Sequence, residues 1–142
     1  MKLELKHLAP YLPYGLEYVK YSDHNSPIRH DIMQGISTNG VYASGDITPV
    51  LFKNCKPILR PLSDLSKEIE VNGEKFKPSF VLSRDYKNAE EFIHLIITEK
   101  EEDYYKDILS HMPLCIAQKL FEYHFDVFGL IEKKLAIDIN TI

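Results

Sequence analysis

A chain of 142 residues with 44% hydrophobic and 27% charged residues has the size and balance of one globular domain, residues 1–142, with no composition break to divide it. At this length the core needs neither a metal nor a disulfide to hold it, and the two cysteines, Cys55 and Cys115, read as reduced thiols of a reducing compartment. The formal net charge of −4 hides an asymmetry, +2 over residues 1–87 and −6 over residues 88–142, a polarity that favours a partner or a head-to-tail self-contact.

The amino terminus, MKLELKHLAPYLPYG, alternates charged and apolar residues and has no uninterrupted apolar run, so it is read as neither a signal peptide nor a membrane anchor. No apolar run approaches the ~20 residues of a spanning helix, and a cytoplasmic protein is expected. Pro10 and Pro13 keep LAPYLPYG extended or turned. Strand formers then predict a strand over 14–21, with Leu16, Tyr18 and Lys20 on one face and Glu17, Val19 and Tyr21 on the other. SDHNSPIRHD reads as a polar loop. GVYASGDITPVLF gives one or two short strands broken at Ser44-Gly45-Asp46.

In KPILRPLSDLSKEI, Pro57 suits a strand start or a sheet edge, Ile58 and Leu59 the buried strand, and Arg60 an extended residue before Pro61. Ser63 is an expected N-cap, Leu62, Leu65 and Ile69 share a helical stripe, and Asn72-Gly73 would end that helix. The rival is a hairpin turning at Asn72-Gly73 and pairing Ile69 with Phe76 and Glu70 with Lys75; the helix is preferred. KFKPSFVL is expected to be a strand ending near Ser83. Ala89, Phe92, Ile93, Ile96 and Ile97 predict a helix over 88–98, followed by a turn or helix over 101–110. Pro113 opens a further helix whose Ala117, Leu120, Phe121, His124, Phe125 and Phe128 face the core. Asp126 could cap a short helix carrying Phe128, Ile131 and Leu135, and LAIDINTI suits a terminal strand. The sum is an α+β fold, a small, mostly antiparallel sheet from the first 85 residues packed against C-terminal helices.

KPILRPLSDLSKEI…NGEKF and QKLFEYHFDVFGLIEKKLAIDIN, with LKHLAPYLPYGL, resemble a set of small uncharacterised proteins encoded on prophages and mobile elements of anaerobic gut bacteria. The direct likeness spans about a third of the chain plus that opening segment. Those relatives place tryptophan at Tyr123 and glycine at Lys134. The resemblance implies a phage-derived intracellular protein and transfers no activity.

The residues carry few chemical signals, each with a plainer reading beside it. Asp23, His24, His30 and Asp31 are competent ligands for zinc or manganese, but polar loops collect these residue types and the spacing matches no recognised pattern. His124 lies near Glu122 and Asp126, yet residues two apart on a helix face different ways, so a locally bonded boundary histidine is expected. His7, His94 and His111 read as surface or element-end residues. Cys115, near a helix start, fits core packing beside Leu114 and Ile116 better than nucleophilic chemistry. Lys53, Lys56, Arg60, Lys75, Lys77, Arg84 and Lys87, interleaved with Phe76, Phe80 and Tyr86, could form a nucleic-acid-binding sheet face, diluted by local acids. The leading expectation is an accessory protein of a mobile element that acts through a protein partner or self-association, with no catalysis, cofactor or membrane contact; a nucleic-acid-binding regulator is second and a metal-dependent enzyme third.

Overall fold

The computed structural model describes residues 2–86, 89–98 and 112–142. In chain order it holds helix α1 (Leu5–Leu8), strands β1 (Glu17–Tyr21), β2 (Pro27–Ile32), β3 (Gly35–Ile36), β4 (Gly40–Tyr42), β5 (Val50–Leu51), β6 (Cys55–Leu59), β7 (Ile69–Val71) and β8 (Glu74–Phe76). Helices α2 (Pro78–Asp85), α3 (Ala89–Thr98) and α4 (Leu114–Glu122) follow, and β9 (Ile137–Asp138) comes near the end. The chain is α+β, with antiparallel pairing everywhere among the named strands except between β6 and β9. It divides into two compact units, Met1–Leu59 with Leu130–Ile142, and Arg60–Gly129.

The first unit is built on a four-stranded sheet of order β2-β1-β6-β9 and a three-stranded sheet of order β3-β4-β5. Leu8, Tyr11, Leu16, Tyr18, Val41, Ile58, Leu59 and Leu130 are among its buried side chains, each large aliphatic one contributing roughly 1.5–3 kcal/mol relative to exposure. Leu16 and Tyr18 thus take the buried face that alternation predicts. Pro57 is not at a strand start or an edge; it lies in the middle of a central strand, opposite Tyr18. The ladder explains why it is tolerated. Tyr18, Val19 and Lys20 pair with Pro57, Lys56 and Cys55, and the alternation set by the Met33 N–H donating to the Leu16 carbonyl (2.8 Å) turns the backbone of Val19, not Tyr18, towards β6. Pro57 therefore stands where an N–H would face away from β1. On β6's other side the parallel pairing with β9 begins only at Ile58, opposite Ile137. LAIDINTI supplies that strand and then a 3-10 turn, Ile139–Thr141.

The second unit buries Leu62, Leu65, Ile69, Leu82, Ala89, Ile93, Ile116, Leu120, Phe125 and Val127 in one cluster. The stripe of Leu62, Leu65 and Ile69 is buried as expected, but not on a helix. A 3-10 helix, Leu62–Ser66, follows Pro61, Ser63 is inside it rather than capping it, and residues 69–76 form the rival hairpin with the pairings Ile69–Phe76 and Glu70–Lys75. Asn72 (φ +53°) and Gly73 (φ +82°) both take left-handed backbone, the geometry that suits a two-residue hairpin turn. The segment expected as a strand through Ser83 is a strand only at Lys75 and Phe76, the end of β8; Pro78 then presets the first helical φ, and α2 runs to Asp85.

α3 lies within the predicted 88–98, and α4 begins just after Pro113, which serves as its N-cap. Of the residues expected on α4's inner face, Leu120 and Phe125 are fully buried with Ile116, while Ala117, Phe121, His124 and Phe128 are partly covered. α4 stops at Glu122 because His124 turns left-handed (φ +62°), and residues 126–135 form turns in place of the expected capped helix. Lys134 is itself left-handed (φ +60°). The element expected over 101–110 lies outside the described residues. Among the described residues no helix is long and apolar enough to cross a membrane.

Candidate interaction surface

The second half of SDHNSPIRHD is not a loop. Ser22–Ser26 is a tight connection, with the Ser22 N–H donating to the Ser26 carbonyl (2.8 Å) and the Ser22 hydroxyl accepting from the His24 and Ser26 N–H groups. Pro27–Ile32 then returns as β2, the longest strand among the described residues, which lies at the end of its sheet. The register pairs Glu17 with Ile32, Tyr18 with Asp31, Val19 with His30 and Lys20 with Arg29, and slips at Tyr21, leaving a bulge beside Ile28. By the same alternation, the backbones of Arg29 and Asp31 bond inward to β1, and those of His30 and Ile32 point outward from the sheet.

The two faces of β2 differ in chemistry. Ile28 (58% exposed) and Ile32 (46% exposed) flank His30, whose Nε2 lies 3.4 Å from Glu17. Partly buried Val19 and Tyr21 continue this face on β1, and the Lys56 ammonium sits over the Tyr21 ring at 5.4 Å. On the other face Arg29 pairs with Asp31 and with Asp46 (3.2 Å). Asp46 also accepts from the Ala43 N–H (2.8 Å), and that bond, aided by Arg29, holds its carboxyl below the usual range. Beneath them Tyr18 and Cys55 are buried; burial raises the Tyr18 phenol and pushes the Cys55 thiol up to about 12.

The four ligand candidates of this segment are spread along the hairpin. Asp23 and His24 are in the turn, where Asp23 accepts from the Asn54 amide (2.9 Å), while His30 and Asp31 are strand neighbours that point to opposite faces. Among the described residues no group of three or more His, Cys, Asp or Glu side chains is arranged to hold a metal ion.

The basic set is also distributed. Lys53, in a 3-10 turn, and Lys56 line a cleft of about 420 Å³ with Lys2 and Asn39 in the first unit. In the second unit Arg60 is structural, its Nε donating to the Tyr123 carbonyl (3.2 Å) and a terminal nitrogen to the Glu70 carbonyl (3.1 Å). Lys75 is opposite Glu70 on the hairpin, and Arg84 forks onto Asp85. Lys77 and Phe80 border a groove that also contains Glu90. Phe80 and Arg84 are on helix α2, and Phe76 packs against Tyr123 at 5.1 Å, so no single sheet face carries the described members of this set; Lys87 lies outside the described residues.

Cys115 is exposed on α4, not packed in a core, and His124 is half-buried, its carbonyl accepting from the Arg60 N–H (2.8 Å). His7, expected at the surface or at an element end, lies in the last turn of α1 but is 3% exposed; its Nδ1 accepts from the Glu4 N–H (3.0 Å), closing a capping box on α1. The signal for β2 itself is in the sequence: Ile28 and Ile32 alternate with Arg29 and Asp31 directly after a strand and a serine-rich turn. No protein-family model, curated protein or solved structure matches this chain.

Proposed function

We propose that this chain is a non-enzymatic accessory protein of a mobile element that acts inside the cell by binding a protein partner or by self-association. The observation that supports this reading is β2: a six-residue edge strand with exposed isoleucines and outward-facing backbone groups. Long edges are templates for pairing with another chain, and although Pro27 and the bulge at Ile28 blunt one end of β2, the outward groups of His30 and Ile32 are not covered by another strand among the described residues. A tagged wild-type chain, expressed in cells where the element is active, should run as a stoichiometric complex or a dimer. The Ile28→Glu, Ile32→Glu double variant should lose that assembly. Wild-type chain recovered only as a free monomer, in extract and when purified, would contradict the proposal.

One observation favours a nucleic-acid-binding role as a second reading: Lys2, Lys53 and Lys56 border one cleft, where ammonium groups could follow a phosphate backbone. A salt-dependent mobility shift of labelled single-stranded nucleic acid, weakened by Lys53→Glu, is its expected result; no binding at low salt removes it.

A further inference from the structure

We infer that the occupant of the β2 edge is a second copy of the same strand, paired antiparallel about a two-fold axis through His30. This rests on the interaction reading above and specifies its partner. The outward backbone groups belong to His30 and Ile32, with Ile28 at the bulge that ends the inner ladder. A two-fold pairing must match such residues with one another, which leaves a few registers.

Centring on His30 sets His30 opposite its own copy, Ile28 opposite Ile32 of the second copy, and Arg29 opposite Asp31 of the second copy. The isoleucines, 58% and 46% exposed in the single chain, then cover one another on one face. On the other face Arg29, already held by Asp31 and Asp46, gains a third carboxylate, and Asp31 gains a second guanidinium. Shifting the register by one step in either direction sets Asp31 against Asp31 or Arg29 against Arg29, and like charges directly opposite are unfavourable. The sequence PIRHDI is therefore self-complementary in one register, in both charge and apolar character. Such an interface is isologous and closes at two copies instead of growing into a fibre.

The hydrogen-bonded pairs of this ladder place facing Cα atoms about 5.5 Å apart, inside the range a disulfide spans. In a Cys115→Ser background, His30→Cys should cross-link to a covalent dimer on mild oxidation. An equimolar mixture of Ile28→Cys and Ile32→Cys chains should give the mixed dimer, with little of either homodimer. Should His30→Cys disturb folding, the mixed pair carries the test alone. Ile28→Cys or Ile32→Cys homodimers forming as readily as the mixed species would overturn the register. Light scattering on the unmodified chain separates this inference from the reading beneath it. A dimer lacking these cross-links, or a monomer that still forms a complex sensitive to Ile28→Glu and Ile32→Glu, overturns the self-pairing alone. A monomer forming no complex overturns both.

Discussion

His7 shows how one buried polar side chain can make a short helix pH-dependent. Its ring is enclosed, its Nδ1 accepts from the Glu4 N–H, and burial, reinforced by Lys6, lowers its pKa from the ordinary value of 6.5. The folded chain therefore holds this proton less tightly than the unfolded chain. Stability from His7 is full above about pH 6.5 and declines as the pH falls below that value, because the unfolded state takes up the proton first. Urea unfolding between pH 7.5 and 5.5 should show this decline, and His7→Gln, which keeps an acceptor at the same helical position, should flatten it. An unchanged slope in the variant would assign the dependence elsewhere. Nothing in the sequence separates His7 from a surface histidine: it lies between Lys6 and Leu8, and its burial is decided by how the amino-terminal segment packs.

Among the elements, the hairpin Ile69–Phe76 offers the sharpest comparison. Asn72-Gly73 is compatible with a helix end or a hairpin turn, since both place glycine at positive φ. The apolar spacing did not decide between them because Leu62, Leu65 and Ile69 are buried either way. Pro61 with the 3-10 turn after it, and cross-strand pairing with Phe76, settled the outcome through contacts that spacing does not encode. Gly73→Ala should cost about 1–2 kcal/mol, since an alanine at φ +82° is strained even though its Cβ has open space. An Asn72→Gly variant should lose little. Equal and negligible effects from both would argue against this turn geometry. Long periodic helices and the strand rich in aromatics were legible, as α3, α4 and β1 show. The edge strand reads as a loop in the sequence: its polar members, Arg29, His30 and Asp31, outweigh its two isoleucines in composition, and the alternation of Ile28 and Ile32 with Arg29 and Asp31 is too short to stand out until the pairing with β1 fixes it.

For the whole molecule, two units share the chain, the first contributed by both ends and the second by Arg60–Gly129. The candidate chemistry divides with them: the lysine-bordered cleft and the β2 edge lie in the first, and Arg60 and Arg84 are occupied in the second. That division leaves the edge of β2 as the feature with the strongest physical reason to meet another molecule. The most direct measurement is sedimentation velocity of the wild-type chain and His30→Pro over a wide concentration range. Proline at position 30 removes an N–H that faces outward and leaves the inner bonds of Arg29 and Asp31 to β1 in place. The wild-type chain should shift to dimer mass as concentration rises, while His30→Pro, with an unchanged circular dichroism spectrum, stays at monomer mass. A wild-type chain that never dimerises, or a proline variant that dimerises equally well, would contradict self-pairing through β2.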